Sequence, residues 1–214
     1  MSRKIIILLL VSFSATLFPA HAGKVGVGLR AGTLGLGAEV GVGISDRFAL
    51  RGGYYTANVS EDYDDAGILY DGDLDVGGFG AIVDFHPFKG GFHVSAGLFA
   101  NENEFAITAT PTTPQDIGGM TYTPAEIGTL NGKVSFDSTA PYFGVGWGRI
   151  SGTKRVSFLS DFGVLRQGSG DVLLASSTGL VSMADLQAEI AEIESDIEDF
   201  DFWPVISFGL AIRF

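Results

Sequence analysis

From Lys24 onward the chain runs on a period of two. Val25, Val27, Leu29 and Ala31 alternate with Gly26, Gly28, Arg30 and Gly32; Leu36, Ala38, Val40, Val42 and Ile44 alternate with Gly37, Glu39, Gly41 and Gly43. That period belongs to strands, whose side chains point to opposite faces in turn. One set is apolar, and the other is glycine and charge. No apolar run after Ala22 reaches the roughly 18 residues that a membrane helix needs. Yet hydrophobic residues make up 46% of the chain, and glycine numbers 31. If such a chain enters a bilayer it does so as a closed barrel, because only helices and barrels satisfy their own backbone groups in lipid.

Residues 1–22 stand apart from this pattern. Arg3 and Lys4 form a charged start, Ile5 to Val11 an apolar core, and Ala20-His21-Ala22 a small-x-small exit. Together they predict a secretory signal peptide over 1–22, cleaved after Ala22, with one domain over 23–214. The chain has no cysteine, which excludes disulfides, thiolate metal sites and a lipid-modified N-terminal cysteine.

Eight antiparallel strands are predicted. The first two are the alternating runs above, joined by a two-residue turn at Leu34-Gly35. With that turn, paired positions sum to 69, and Arg30 lies opposite Glu39 as a cross-strand charge pair. The others are Phe48 to Asn58, Leu74 to His86, Phe92 to Ala109, Val134 to Arg149, Val156 to Leu165 and Phe202 to Phe214. The apolar set faces lipid; the inward set includes Arg30, Glu39, Arg51, Asp84 and Asp161, with Tyr55 and Phe99. Turns at 45–47, 87–91 and 150–155 are short, whereas 60–73, 110–133 and 166–201 read as long loops. Short periplasmic turns and long external loops are the asymmetry of outer-membrane barrels.

The last strand carries a further pattern. Ile206, Phe208, Leu210, Ile212 and Phe214 share a face. Ser207, Gly209, Ile212 and the terminal aromatic Phe214 resemble the β-signal read by the outer-membrane insertion machinery, which is thereby an expected partner. The whole 23–214 stretch is similar to the small OmpA/OmpX-like outer-membrane barrels, and more closely to an uncharacterised proteobacterial branch of them. The matching stretches are Asp84-Phe85-His86-Pro87-Phe88, Tyr122 to Val134, Ala140-Pro141-Tyr142 through Gly148, and the acidic helix before the last strand. The resemblance implies an all-β, eight-stranded transmembrane barrel in the bacterial outer membrane. Its surroundings would be lipid and lipopolysaccharide, its expected state a monomer. It supplies no catalytic residue, since the family is a fold more than an activity.

Charge divides the chain. Without Arg3 and Lys4, 11 basic residues face 25 acids, a net −14. Segments 60–75, 101–137 and 166–201 hold 21 of those acids, with only Lys133 and Arg166 as bases. Lys24, Arg47, Lys89, Arg149, Lys154, Arg155 and Arg213 collect at the other end. So negative an outer surface excludes nucleic acid as a partner there. Asp71, Asp73 and Asp75 could offer oxygens to calcium, but the EF-hand spacing with its closing Glu is absent and a solvated loop is the plainer reading. Ser182 to Phe200 reads as an acidic amphipathic helix, with Ser182 as N-cap, Asp185 three residues on, and Leu186, Ile190, Ile193 and Ile197 as its stripe.

Three functions are open on the sequence. The first is a structural and surface-interaction barrel, its lumen plugged by side chains and its external acids contacting a partner or divalent cations. The second is a narrow channel for water or small solutes, which inward glycine would favour by leaving gaps. The third, a lipid-modifying enzyme, rests on His93-Val94-Ser95 alone, and that tripeptide lies at the periplasmic end. No enzyme activity and no cofactor is expected.

Overall fold

The computed structural model describes residues 25–151 and 154–214. The predicted signal peptide and its cleavage site lie outside them. Among the described residues there are thirteen strands: β1 Val25–Gly32, β2 Gly35–Gly43, β3 Phe48–Asp65, β4 Ile68–Phe85, β5 Phe92–Asn101, β6 Glu104–Pro111, β7 Gln115–Ile117, β8 Met120–Tyr122, β9 Leu130–Ser135, β10 Thr139–Trp147, β11 Val156–Arg166, β12 Asp171–Ser176 and β13 Phe202–Arg213. Two α-helices, α1 Pro124–Ile127 and α2 Met183–Asp196, lie among the later strands.

Eight strands close on themselves. β1 to β5 pair in sequence; β5 then pairs with β10, β10 with β11, β11 with β13 and β13 with β1, all antiparallel. A closed ring leaves no unpaired edge at that level. Its outer surface is apolar and open: Leu29, Leu36, Phe79, Phe143, Trp147, Phe158, Phe208 and Leu210 all stand exposed. So continuous an apolar surface is foreign to water. No described helix is long and apolar enough to cross a membrane, which says nothing of strands.

The first hairpin is registered differently from the sequence expectation. Its pairs sum to 67, so Gly32 faces Gly35, Arg30 faces Gly37 and Glu39 faces Gly28. The turn is Thr33-Leu34, and Gly35 closes it at a φ of 85°, the left-handed conformation that ends a type I hairpin turn. Leu34 turns into the ring and is buried, which explains the shortness of this loop.

The expected long loop 60–73 is strand instead. β3 and β4 run on for 18 residues each to a turn at Ala66-Gly67, whose φ values are 50° and 80°. Positive φ at both central residues marks the hairpin turn that matches strand twist. Tyr63 and Tyr70 face each other there and stack at 4.6 Å between ring centroids. The strands expected over Phe92 to Ala109 and Val134 to Arg149 are each interrupted, the first at 102–103 and the second at 136–138. Register nevertheless carries across both breaks. Asn101 faces Gly78 and Glu104 faces Asp75, and both pairs sum to 179. Thr139 faces Ala100 and Ser135 faces Glu104, and both sum to 239.

The wall therefore rises beyond the ring as a continuation of the same sheet, in the order β12-β9-β6-β4-β3, while β7 and β8 pair separately. Amides mend the breaks. Asn103 accepts from Gly77 N and donates to Gln167 Oε1, at 2.9 and 2.8 Å. Gln167 in turn donates to Phe200 O at 3.0 Å. Both side chains are buried, where an unmet amide would be costly. Helix α2 lies on β12 and β7, its Leu186 packed with Ile117, Ile127 and Val181. Ser182 caps it by accepting from Asp185 N at 3.1 Å. Tyr122 and Ser182 hydroxyls both donate to Asp185 and hold its carboxyl below the usual range.

Candidate functional site in the ring interior

Inward side chains fill the ring in three tiers. The lowest, at the end carrying the basic turns, is Ile150, Leu159 and Ala211. Ile150 enters from the connection after β10. A Cβ on Gly41 would collide with its side chain, and one on Gly26 with its carbonyl. These glycines are sockets, not gaps.

The middle tier is ionic. Arg30 donates from Nε to Glu39 Oε1 at 2.7 Å, and its Nη1 pairs with Asp161. Arg51 reaches Asp84 at 2.9 Å, Asp161 at 2.7 Å and Glu39 at 3.3 Å. Tyr55 donates to Glu39 at 2.8 Å, and Ser95 to Asp84 at 2.6 Å. His93 Nε2 sits 3.0 Å from Asp161 Oδ1. Every one of these side chains is buried. The structure thus brings together the five charges Arg30, Glu39, Arg51, Asp84 and Asp161. Arg30 and Glu39 meet on the diagonal rather than face to face, a separation that long side chains span.

His93 and Ser95 belong to this tier as well. Their spacing of two on an inward face was the available signal. Ser207, one of the expected assembly residues, also joins by accepting from Arg30 Nη1 at 3.3 Å. Of the other three, Gly209 lies against Arg30, Ile212 is exposed on the outer surface of β13, and Phe214, one residue past the strand, is exposed as well.

The upper tier is apolar and aromatic: Leu34, Tyr55, Ile82, Phe99, Ala140, Tyr142, Leu165 and Val205, with Trp203 against them. Between the ions and this tier a cavity of about 20 Å³ remains, bounded by Arg30, Arg51, Tyr55, Tyr142, Asp161 and Ser207 among others. That is room for about one water molecule.

His93 and Ser95 do not meet: Ser95 donates to Asp84 and His93 lies on Asp161. The calcium candidates are dispersed. Asp71, Asp73 and Asp75 follow one another along β4 on the outward face, with Asp73 bonded to Ser60 and Asp75 to Asn58. Among the described residues no group of three or more acids and histidines could hold a metal ion.

The chain is similar to CarO2 of Acinetobacter baumannii, with a TM-score of 0.61 at 21% identity over 90% of this chain and 99% of that one. CarO of the same organism gives 0.59 at 23% identity, over 88% and 97%. The fold is that of an outer-membrane β-barrel. A major outer membrane protein of Thermus thermophilus is a looser match, with a TM-score of 0.42 at 16% identity over 91% of this chain and 100% of that one. No protein-family model matches the chain, and no curated protein matches it in sequence.

Above the barrel the outward face of the wall changes character. Below, it carries Leu50, Phe79 and Val83; above, Asp62 and Asp64 on β3 continue it beside Asp71, Asp73 and Asp75 on β4. Glu104 and Asp171 extend the acidic face across the sheet. Lys133 is the one base among these, bonded to Glu104 at 2.7 Å.

Proposed function

We propose that the protein is an eight-stranded barrel of the bacterial outer membrane, of the small OmpA/OmpX-like kind, with a sealed interior and a structural and surface-interaction role. The observation that carries this reading is the three-tier filling. Eight strands leave an interior that side chains can just fill, and here the space left between the ions and the aromatics holds about one water. Inward glycine, which favoured a conduit on sequence, is occupied by Ile150, Tyr55, Phe99 and Tyr142 from neighbouring positions.

In this reading the basic turns face the periplasm and the acidic sheet faces outward, beyond the lipopolysaccharide. A surface of that sign repels polyanions and suits a cationic partner or divalent cations. Export leaves Gly23 as the first residue, which N-terminal sequencing of the membrane-embedded protein checks. Planar-bilayer recording of the purified barrel, with and without calcium, tests the sealed interior. Silence is expected; steady single-channel conductance would move the assignment to a narrow channel.

A further inference from the structure

At the basic end of the barrel lies a cleft of about 520 Å³ that plays no part in filling the ring. Lys89, Gly90 and Gly91 form one side, Gly148, Arg149 and Lys154 the other, and Trp147, Val156 and Phe158 its apolar floor. Trp147 and Phe158 are 61% and 57% exposed on the outward face that continues upward through Val145 and Phe162. Three cations therefore sit where the apolar wall ends. Lys89 shares its charge with Asp46 on an exposed rim at 3.4 Å, and no acid lines the cleft itself.

Two details suggest an anion. Arg149 spends one donor on Lys89 O at 3.1 Å and a longer one on Ser45 O at 3.5 Å. Its Nε–H is buried, but each Nη keeps a second hydrogen for an acceptor in the cleft that Arg149 lines. Gly91 allows the Trp147 indole nitrogen to lie against the turn, where a Cβ would come within 2.7 Å of it. The indole is thereby held at the border of the apolar band, beside the cations.

The geometry points to a binding site for the phosphate of an anionic glycerophospholipid in the periplasmic leaflet. Arg149, Lys154 and Lys89 would hold the headgroup, and Trp147 and Phe158 would flank the first part of an acyl chain. Arginine and lysine recognise phosphate by charge-assisted hydrogen bonds, and basic pockets at a membrane face select anionic headgroups. A free phosphate would use the cations but leave the aromatic floor without a partner.

The inference rests on the ring spanning a membrane, and the test separates the two. Flotation of the full barrel with phosphatidylcholine vesicles comes first; failure to insert overturns the membrane reading itself. Native mass spectrometry then follows barrel in detergent supplied with equal phosphatidylglycerol and phosphatidylcholine. One retained phosphatidylglycerol, in preference to phosphatidylcholine, is expected. Lys154→Ala should weaken that retention about fivefold, the ~1 kcal/mol that one surface lysine contributes toward an anionic membrane. Arg149 also ties two turns together, so the second variant is Lys89→Ala with Lys154→Ala, which spares it. Equal retention of the two lipids by inserted protein, or unchanged retention in both variants, overturns the site. Full displacement by inorganic phosphate that itself stays bound would assign the site to free phosphate and also overturn it.

Discussion

Arg51 is the residue on which the barrel interior depends most, and replacing it with Met should cost about 5 kcal/mol, the upper end of what breaking a buried ion pair costs. The middle tier formally holds two guanidiniums, Arg30 and Arg51, against three carboxylates, Glu39, Asp84 and Asp161. Arg51 alone reaches all three acids, and its own side chain is 3% exposed. Removing one partner of a buried pair typically costs ~3–5 kcal/mol, because the other charge is left uncompensated. Arg51→Met strands Asp84 with only the Ser95 hydroxyl and leaves Arg30 to serve both Glu39 and Asp161, so the upper end of that range applies. Asp84→Asn is the informative contrast. It brings the tier to two against two, and its amide oxygen still accepts from Arg51 and Ser95, so about 1.5 kcal/mol is expected, the loss of one charged hydrogen bond. Urea unfolding in lipid vesicles, read by Trp147 and Trp203 fluorescence and by heat-dependent gel mobility, measures both. Equal costs under about 1 kcal/mol would refute the reasoning. The charges would then be screened as surface charges are, and the sealed interior would fall with them.

Three further outcomes are expected. Phe214→Ala should slow insertion and leave unassembled protein in the periplasm, because the terminal aromatic of the last strand is the expected recognition residue; pulse-chase protease protection reads it, and wild-type kinetics would refute it. Gly37→Val should destabilise by ~1–3 kcal/mol through overpacking, since a Cβ there would overlap the Tyr55 ring; the same urea assay measures it. Ser182→Ala should loosen α2 by about 1 kcal/mol, seen as faster amide exchange over 183–196. The Asp185 contribution at that cap has a definite sign in pH. Its folded carboxyl titrates below 3.8, so its support is complete above that value and is lost as pH falls through the lowered one; exchange over the same residues that accelerates already near neutral pH would contradict this.

The inward and outward faces were legible because the period of two fixes them without the turn. Placing the first turn at Leu34-Gly35 put the register wrong by a sum of two, yet such a shift returns every side chain to its own face. That is why Arg30 and Glu39 still meet. What misled the placement was Gly35, read as the second residue of the turn when it closes a turn made by Thr33 and Leu34. The outer sheet was misread for a different reason. Asp is unfavourable in strands, so Glu61 to Asp65 and Asp71 to Asp75 looked like solvated loop. Their alternating partners Val59, Tyr63, Tyr70 and Leu74 carried the strand signal, and Ala66-Gly67 carried the turn. The breaks at 102–103 and 136–138 had no local signature, because Asn103 and Gln167 are satisfied by each other across 64 residues of sequence.

Inward glycine was the least legible feature, because a sequence shows which side chain is missing and not which one takes its place. Gly37 reads as a gap until Tyr55 lies over it, and Gly80 until Phe99 does; Gly144 and Gly163 both lie under Tyr142. Each pairing sets a large residue against a position without a Cβ on the same or an adjoining strand. Packing of this kind brings the aromatic rings across the ring's axis, so their contacts with one another, Tyr55 to Phe99 and Phe99 to Tyr142 at 5.8 Å each, form the upper tier. The same glycine content that suggests a conduit when counted therefore permits a seal when placed. In this barrel the residues against the inward glycines are tyrosine, phenylalanine and isoleucine above and below, and Glu39, His93 and Arg30 in the ionic tier between.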